Sequence, residues 1–478
     1  MVFQRISFTY LGLCLFLTFC LSGCGLVGKQ PSATLPENLP SFWQEKAEVA
    51  DLPITTGLLD LIGRDESLCQ LVREALENNP DLKATALRLQ AEGYLLSEPR
   101  SQMLPKIDAG FAVRRNNQES NYETYETETA TTYKPSASIS WELDLWGRLA
   151  DQYQGAKSAY AAKEQDYLQA RDALAARVIQ GWVKQLAARR AVAIEEERLQ
   201  VLTRIEEILI QRYRDGIGTL DDYSTAASRT QIAKADLSLQ RTELIQSVRA
   251  LEIVLGRYPE GKLSSDLDWP ELSLPQVNAP TSVLAQRPDI RAGLARVDAA
   301  RNQARGADKA RLPSTTLSGE VFRSGSTLSD IGSATTYWGL LGSLFQPIFE
   351  GGKLRDEARA QHSEADATVQ DLRVIVLRAL SEVENTLTLE RELAVQAAAL
   401  KIAEEESKKS SLYFTDRYRQ GLDNIQSLLI AREQEISTRI RLNQAQADRL
   451  SNRIDLAIAL GVPVTAPEKE QQPTALHN

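Results

Sequence analysis

The residue types that usually carry catalysis are scarce in this 478-residue chain. Its two histidines, His362 and His477, stand in no serine–histidine–aspartate set. The sequence shows neither zinc-ligand spacing nor a glycine-rich phosphate loop. The many Asp and Glu residues fall on predicted solvated helix faces. We therefore predict that the protein is not an enzyme and that it needs no cofactor and no metal ion.

One cysteine stands where a covalent modification is expected. Residues 1–23 carry one charge, Arg5, and an apolar run that is typical of a signal peptide and short for a membrane-spanning helix. The run ends in Leu21-Ser22-Gly23-Cys24, which resembles the lipobox of bacterial lipoproteins. This resemblance implies that Cys24 takes a diacylglycerol and becomes the first residue, and Gly25 in place of Asp points to the outer membrane. An ordinary secretory signal with an incidental cysteine is the alternative.

The composition of the chain argues against some partners and some ways of crossing a membrane. The formal net charge is −9, which makes nucleic acid a poor partner. Cys69 is the only thiol left once the predicted signal and the lipidated cysteine are set aside, so no internal disulfide is expected. No later apolar segment is long enough for a membrane helix, so a chain that crosses a bilayer would have to do so with strands.

The second half of the chain repeats the landmarks of the first in the same order. The pairs Asn79-Pro80-Asp81 with Arg287-Pro288-Asp289, and Leu104-Pro105 with Leu312-Pro313, are 208 positions apart. The later pairs are 205 positions apart; they are Gly147-Arg148-Leu149 with Gly352-Lys353-Leu354, RYRDG at Arg212 with RYRQG at Arg417, and Leu255-Gly256 with Leu460-Gly461. The chain therefore consists of two copies of a unit of about 200 residues.

Each unit holds two segments in which every second residue is apolar, which predicts strands. We place them at about 105–116 and 135–146 in the first copy, and at about 313–324 and 335–349 in the second. The polar stretch NNQESNYETYETETATTY between the first two is predicted to be an exposed loop. Three tryptophans, Trp141, Trp146 and Trp338, lie in these segments, as they would in the aromatic girdle of a membrane barrel. A soluble sandwich with core tryptophans is equally compatible with the periodicity alone.

A long helical hairpin follows each strand pair. Residues 149–213 contain no proline and two glycines, Gly155 and Gly181, and residues 354–418 contain neither proline nor glycine. At ~1.5 Å per residue, each would be a rod of roughly 95–100 Å. Return helices are predicted at 220–255 and 425–460, and the second carries a coiled-coil seam with the polar residue Asn443.

The RYR-x-Gly segments are therefore the ends of the long helices. Gly216 and Gly421 supply the positive φ of a C-terminal cap, and Thr219 and Asn424 can cap the returning helices. These caps account for the glycines and the polar residues. They do not account for Arg-Tyr-Arg at both tips.

Four strands cannot close a membrane barrel, and open sheet edges are not tolerated in lipid. Several chains would have to pool their strands, and their helices would then bundle into a tube. The alternative is a periplasmic coiled-coil lipoprotein that is purely structural and forms no channel. The four alternating segments favour the channel.

Taken in order, these motifs resemble the TolC-like outer membrane factor family in its lipoprotein branch, over nearly all of the chain after residue 23. The residues that carry the resemblance are Leu76-Glu77-Asn78-Asn79-Pro80-Asp81-Leu82, Trp141-Glu142-Leu143-Asp144-Leu145-Trp146-Gly147-Arg148-Leu149, Arg287-Pro288-Asp289-Ile290-Arg291-Ala292, Pro347-Ile348-Phe349-Glu350-Gly351-Gly352-Lys353-Leu354 and both RYR-x-Gly tips. It implies a mostly α-helical fold with a membrane β-barrel: a homotrimer with a twelve-stranded barrel on a twelve-helix periplasmic tube.

The resemblance also implies a function and partners. The chain would be the outer membrane channel of a tripartite efflux or export system. It would bind a periplasmic adaptor and an inner-membrane pump, driven by protons or by ATP, and it would contact outer membrane lipid.

Two groups of site residues follow from the resemblance. The adaptor would dock at the tips, on Arg212, Tyr213, Arg214, Gly216, Thr219, Leu220, Arg417, Tyr418, Arg419, Gly421, Asn424 and Ile425. The periplasmic gate candidates are Asp221, Asp222, Gln426 and Ile430. Gln426 and Ile430 stand where family members often carry acidic residues, so we expect the closed mouth to be sealed by apolar and amide groups more than by an acidic ring.

The predicted organisation of the chain follows from these boundaries. It comprises a signal peptide at 1–23, a lipid tether and N-terminal segment at 24–66, the first repeat at 67–256, a linker at 257–280, the second repeat at 281–461 and a polar tail at 462–478.

Overall fold

The structure is a computed structural model that describes residues 66–119, 127–263 and 277–464, with residues 40, 42–44, 57–58, 268–269 and 274. The predicted signal peptide and Cys24 lie outside the described residues, as do His477 and most of the predicted polar tail.

The elements of the first half are three short helices, two strands and a helical hairpin. In order they are α1 (Glu66–Asn78), α2 (Pro80–Leu95), α3 (Ser97–Ser101), β1 (Lys106–Glu119), β2 (Thr127–Leu143), α4 (Arg148–Arg214) and α5 (Leu220–Val254). The second half repeats this plan. Its elements are α6 (Pro280–Gln286), α7 (Pro288–Lys309), β3 (Ser314–Arg323), a 3-10 turn (Asp330–Gly332), β4 (Thr336–Phe345), α8 (Lys353–Arg419) and α9 (Ile425–Ala459).

The lengths of the long helices confirm the repeat. Helices α4 and α8 have 67 residues each, and α5 and α9 have 35 residues each. The boundaries proposed for the tether, the linker and the tail stay predictions. No helix within the described ranges combines the length and the apolar character that crossing a membrane would require.

The chain divides into two compact units. One includes Leu89–Lys163 and Ala292–Leu372 and holds all four named strands. The other includes Pro36–Arg88, Glu164–Arg291 and Arg373–Asn478 and holds both hairpin tips. The long helices α4 and α8 run through the boundaries of these units.

The sheet is antiparallel, with the order β1-β2-β3-β4. Lys106 pairs with Ser140, Leu143 with Thr315 and Ser314 with Phe345. Among the described residues, β1 and β4 therefore each have one strand neighbour. Large apolar side chains on these two edge strands stay exposed, with Ile107 at 74% and Trp338 at 79%.

The strands differ from the sequence-based prediction at their ends. The strand β1 continues to Glu119 and β2 begins at Thr127, within the stretch expected to be a loop. Backbone pairing continues there without apolar alternation, because Thr and Tyr favour extended backbone and no buried face is required. The strand β2 ends at Leu143 and β4 at Phe345, so Trp146 and Ile348 follow their strands rather than lie in them.

In the unit that holds the hairpin tips, the repeated Pro-Asp landmarks tie the start of one helix to the end of another. The Nδ2 of Asn79 donates to the carbonyl of Val254 at 2.9 Å, and its Oδ1 accepts from the backbone N of Leu82. Arg287 occupies the matching place and donates from Nη1 to the carbonyl of Ala459 at 2.9 Å. Each repeat therefore fixes the end of its return helix in the same way.

The predicted coiled-coil seam on α9 lies in the core. Ile454 and Ala457 are fully buried, and the polar seam residue Asn443 is 5% exposed. Its Nδ2 donates to the carbonyl of Ala187 on α4 at 2.9 Å. The seam therefore packs the second hairpin against the first.

Candidate docking site at the hairpin tips

The two hairpin tips end their long helices with the same backbone motif. At the first tip, Gly216 has φ +76°, its N donates to the carbonyl of Tyr213, and the N of Ile217 donates to the carbonyl of Arg212. At the second, Gly421 has φ +74°, and the corresponding bonds join Gly421 to Tyr418 and Leu422 to Arg417. This is the Schellman arrangement, in which a residue of positive φ lets the last carbonyls of a helix find donors. The RYR-x-Gly sequence therefore encodes a helix end.

The returning helices begin at the predicted caps. Thr219 Oγ1 accepts a hydrogen bond of 3.1 Å from the N of Asp222. Asn424 Oδ1 accepts from the N of Ser427 at 2.9 Å. Each cap satisfies one of the backbone donors that a helix start leaves free. At each tip the chain therefore leaves one helix and enters the next within five residues, Asp215–Thr219 and Gln420–Asn424.

The Arg-Tyr-Arg residues of the two tips make different contacts. Arg212 donates from Nη1 to the Tyr418 hydroxyl at 3.0 Å, and its guanidinium lies 5.9 Å from the centre of the Tyr418 ring. Arg417 turns back on its own hairpin and donates to the carbonyl of Leu422 at 3.0 Å and to the Tyr413 hydroxyl at 3.3 Å. The first tip therefore reaches to the second, whereas the arginine of the second tip closes its own turn.

Arg417 also forms an ion pair of 3.3 Å with Asp423. The hydrogen bond from the backbone N of Asn424 holds the pKa of Asp423 below its usual range, and Ser427 and Arg417 act in the same direction. The carboxylate therefore stays charged at neutral pH and supports the second turn.

The exposed parts of the tips are mixed apolar and basic. Arg212, Arg214 and Arg419 are exposed. Ile217 is 69%, Leu220 56% and Leu422 58% exposed. Tyr213, Gly216, Gly421, Thr219 and Asn424 are also exposed, whereas Arg417 and Tyr418 are half-buried.

Ile425 differs from the other predicted tip residues, because the structure places it in the core. It is 3% exposed and belongs to a buried cluster with Leu202, Leu209, Leu428 and Leu429. Phe414 and Tyr418 pack against the same cluster. Ile425 therefore supports the tip from inside, and the side chains open to a partner lie around it.

The gate candidates lie on the first turns of the return helices. Asp221 is exposed and Asp222 is half-buried. Gln426 is exposed and Ile430 is 62% exposed. Positions four apart lie on one helix face, so α9 presents Gln426 and Ile430 together.

The sequence analysis missed an ion-pair cluster between the helices, which we call the Arg198 cluster. The Nη1 of Arg198 on α4 donates to Asp236 of α5 at 2.9 Å and to Glu195 at 3.1 Å. Its Nη2 donates to both carboxylate oxygens of Glu433 on α9, at 3.0 and 2.9 Å. One guanidinium therefore joins three helices of two hairpins, and its side chain is 12% exposed.

Burial raises the pKa of Glu195 in this cluster, and the hydrogen bond from Arg198 partly opposes the rise. The sequence does place charged residues on α4 near its packed face, and this pattern could have indicated an ion pair between helices. The sequence does not show which helix lies opposite.

His362 is exposed and pairs through Nε2 with Asp308 at 2.8 Å. In the part of the chain that the structure describes, no group of three or more His, Cys, Asp or Glu side chains could hold a metal ion.

Comparison with known proteins gives the context of this geometry. The model of the outer membrane efflux protein family matches residues 71–257 and 279–462. The probable efflux pump outer membrane protein SepC of Pseudomonas putida is 26% identical over 466 residues, covering 93% of this chain and 95% of that protein. The outer membrane protein OprJ of Pseudomonas aeruginosa is 26% identical, covering 83% of this chain and 84% of that protein.

Solved structures show the same fold. A membrane protein from Pseudomonas aeruginosa has a TM-score of 0.82 at 25% identity, covering 90% of this chain and 99% of that chain. The Campylobacter jejuni outer membrane channel CmeC has a TM-score of 0.83 at 21% identity, covering 92% of this chain and 95% of that chain. The predicted fold class is confirmed.

These matches confirm the expected outer membrane location and the role in efflux, and they agree with the expectation that the protein is no enzyme. The family match spans both repeats and most of the chain. The chain therefore belongs to the outer membrane efflux protein family.

Proposed function

We propose that three copies of this chain form one conduit, which works with a periplasmic adaptor and an inner-membrane pump. The observation that carries the proposal is a sheet of four strands whose edges, β1 and β4, each lack a second neighbour among the described residues. Exposed edges in a bilayer leave backbone groups unpaired, and closure of several copies into a ring removes them. Three copies give twelve strands and twelve long helices.

The ring closes by a heterologous contact, because the β4 edge of one copy meets the β1 edge of the next. The apolar side chains on these edges are exposed in the single chain, as Ile107 and Trp338 show. A closed ring presents them to lipid or to neighbouring copies. A coiled-coil spacer without a channel has no use for such a sheet.

The adaptor docks at the hairpin tips. Two observations support this proposal: both tips share one backbone motif, and together they expose the cations Arg212, Arg214 and Arg419 beside Ile217 and Leu220. A partner helix end that carries apolar residues and carboxylates fits this surface. The turns that carry these side chains are formed by the other tip residues, namely Tyr213, Gly216, Thr219, Tyr418, Gly421 and Asn424.

A lipid anchor on Cys24 completes the proposal. It rests on the Leu21-Ser22-Gly23-Cys24 sequence, which lies outside the described residues. Metabolic labelling with palmitate tests it. The wild-type chain is expected to take up label and the Cys24→Ala variant is not; equal labelling of both overturns the anchor.

The trimer is tested by light scattering on the detergent-extracted full chain, corrected for bound detergent, and by conductance in planar bilayers. We expect three times the chain mass and a discrete conductance. A monomer without conductance overturns the channel.

Docking is tested by photo-crosslinking from the tips. A crosslinking amino acid at Leu220 is expected to capture the adaptor, and the same group at Leu328, which is 63% exposed in the unit that holds the sheet, is not. Capture from Leu328 alone contradicts docking at the tips.

A further inference from the structure

Two large apolar side chains stand almost fully exposed just after the last strand. Ile348 and Phe349 are each 87% exposed. They belong to residues Pro347–Gly352, which join β4 to α8 and which we call the exit loop. The loop is anchored, because the Nε2 of Gln346 donates to the carbonyls of Arg311 and Pro347 at 3.1 and 3.0 Å. An anchored loop that presents bulky apolar groups to solvent suggests a partner surface.

The turn into α8 depends on two consecutive glycines. Gly351 has φ +62° and Gly352 has φ +91°, a conformation that side chains disfavour. The N of Asp356 donates to the carbonyl of Gly352, so the helix starts at once. The loop therefore has a defined path, and Ile348 and Phe349 project at a fixed place.

The corresponding segment of the first repeat shows which residues such a loop contacts. The 205-residue offset places Trp146 at the position of Gly351. The Trp146 Nε1 donates to the carbonyl of Pro313 at 2.7 Å. Pro313 precedes β3, which is the next strand in the sheet after β2. The segment after one strand therefore lies against the residue before the next.

Among the described residues, no further strand follows β4 in the sheet. The strands alternate in direction, so β4 runs opposite to β1 and can pair with β1 of another copy. Antiparallel pairing then brings the end of β4, at Phe345, to the start of β1, at Lys106. The 208-residue offset makes Leu104-Pro105 the counterpart of Leu312-Pro313, and Leu104 is 58% exposed.

We propose that Ile348 and Phe349 of one copy pack against Leu104 and Pro105 of the next, and that this seam locks the ring below the sheet. It places the segment after β4 against the residues before β1 of the next copy, as the segment after β2 lies against Pro313 within one chain. The inference rests on the proposed trimer. Within the chain the segment bonds through the indole N–H of Trp146, whereas the contact between chains uses the apolar area of Ile348 and Phe349, which the offset aligns with Leu143 and Asp144.

Disulfide trapping in the full-length protein tests the seam. Leu104→Cys and Phe349→Cys are combined with Cys69→Ser, which removes the one cysteine found among the described residues. Membranes are oxidised with copper phenanthroline and run on denaturing gels without reductant. Because the contact is heterologous, a single cysteine has no partner cysteine across the seam.

We expect the double variant to give dimer and trimer bands that stop at the trimer and disappear with reductant. Each single-cysteine variant is expected to stay monomeric on the gel. Leu104→Cys with Leu328→Cys is the matched control, because Leu328 is 63% exposed but lies beyond the other end of β3 and β4, at ~3.3 Å per strand residue roughly 30 Å away. This control pair is expected to give no trimer band.

The possible failures are distinguishable. If light scattering shows a trimer and the pair at 104 and 349 does not crosslink, or crosslinks no better than the control pair, the seam is overturned and the trimer stands. A protein that is monomeric by light scattering overturns the trimer and the seam together.

Discussion

Arg212 at the end of α4 and Tyr418 at the end of α8 join the two hairpin tips of one chain through a hydrogen bond of 3.0 Å. The same tyrosine packs against the buried cluster that contains Ile425 and Leu429. The contact between the tips is therefore connected to the packing of the hairpins above them. The relationship is not reciprocal, because Arg417, the first arginine of the second tip, bonds to Tyr413 and Leu422 of its own hairpin.

Tyr418→Phe should loosen the tips without disturbing the core beneath them. It removes the hydroxyl and keeps the ring, so the change in stability should be about 1 kcal/mol or less. We expect a more open periplasmic mouth, seen as a higher conductance in planar bilayers. Tyr213→Phe is the matched control, since Tyr213 is the corresponding tyrosine of the first tip. Equal conductance of wild type and Tyr418→Phe would show that the bond does not restrain the mouth.

Two glycine-to-alanine substitutions should show how much stability is lost to backbone strain and how much to steric crowding by the added Cβ. Gly421 and Gly256 have nearly the same φ, +74° and +77°. A Cβ on Gly421 meets nothing within 4 Å, whereas one on Gly256 would lie 2.7 Å from the carbonyl oxygen of Asn78. Gly421→Ala should therefore lower stability by about 1–2 kcal/mol, the usual penalty for an L-residue in this region. Gly256→Ala should lower it clearly more.

Apparent unfolding midpoints of the two glycine variants in detergent check this comparison. Both variants need to reach the membrane at wild-type levels for the midpoints to be compared. Similar midpoints for both would mean that the chain near Asn78 moves aside, and that crowding contributes little.

The fold followed from the sequence where local chemistry decides it. The long helices could be predicted because glycine marks their ends. The helix predicted at 149–213 is observed at Arg148–Arg214, and the one predicted at 354–418 is observed at Lys353–Arg419. Positive φ at Gly216 and capping by Thr219 followed in the same way. Each of these features depends on neighbours within a few residues.

Contacts between helices could not be predicted from the sequence. Periodicity shows which face of α4 is packed, but it does not show that Glu433 of α9 lies opposite Arg198. The pairing of Thr127–Tyr133 with β1 was missed for a related reason, because backbone bonding carried the strand past its apolar residues. The burial of Ile425 likewise depends on the neighbouring helix and not on its own turn.

Arg198→Met should destabilise the hairpins, because it leaves Glu195, Asp236 and Glu433 without their shared cation. Removing one partner of a buried ion pair typically costs ~3–5 kcal/mol of stability. Because the Asp236 side chain is 44% exposed, we expect the loss here to lie at or below the lower end of that range. Arg198→Lys should restore part of the loss, since an ammonium supplies charge but not the paired contact with Glu433. The apparent unfolding midpoint measures both. A wild-type midpoint for Arg198→Met would show that the cluster contributes no stability.

The pH dependence of that variant has a defined sign. Burial raises the folded-state pKa of Glu195 above its ordinary value of 4.5, so protonation favours the fold below that raised pKa. The stability that protonation provides is complete below about pH 4.5 and is lost as the pH rises through the raised folded pKa. Without the Arg198 cation the rise should be larger.

Lowering the pH from 7 toward 5 should therefore raise the midpoint of Arg198→Met more than that of the wild type. Glu195→Gln in the Arg198→Met background should remove part of this dependence. An unchanged difference between the two midpoints across this range would contradict the assignment.

Polyvalent cations should block this channel weakly, because α9 presents Gln426 and Ile430 where an acidic ring would attract them. Both side chains are exposed and lie on one helix face, so Gln426→Asp with Ile430→Asp would place six carboxylates around a trimeric mouth. We expect this double variant to be blocked at a lower concentration of a trivalent cation than the wild type, with the difference shrinking at high salt. Single-channel conductance during titration of the cation from the tip side measures the block.

Asp221→Asn is the control, because it removes an exposed carboxylate from the first tip and should not strengthen block. Equal block of wild type and double variant would place the constriction elsewhere than at Gln426 and Ile430.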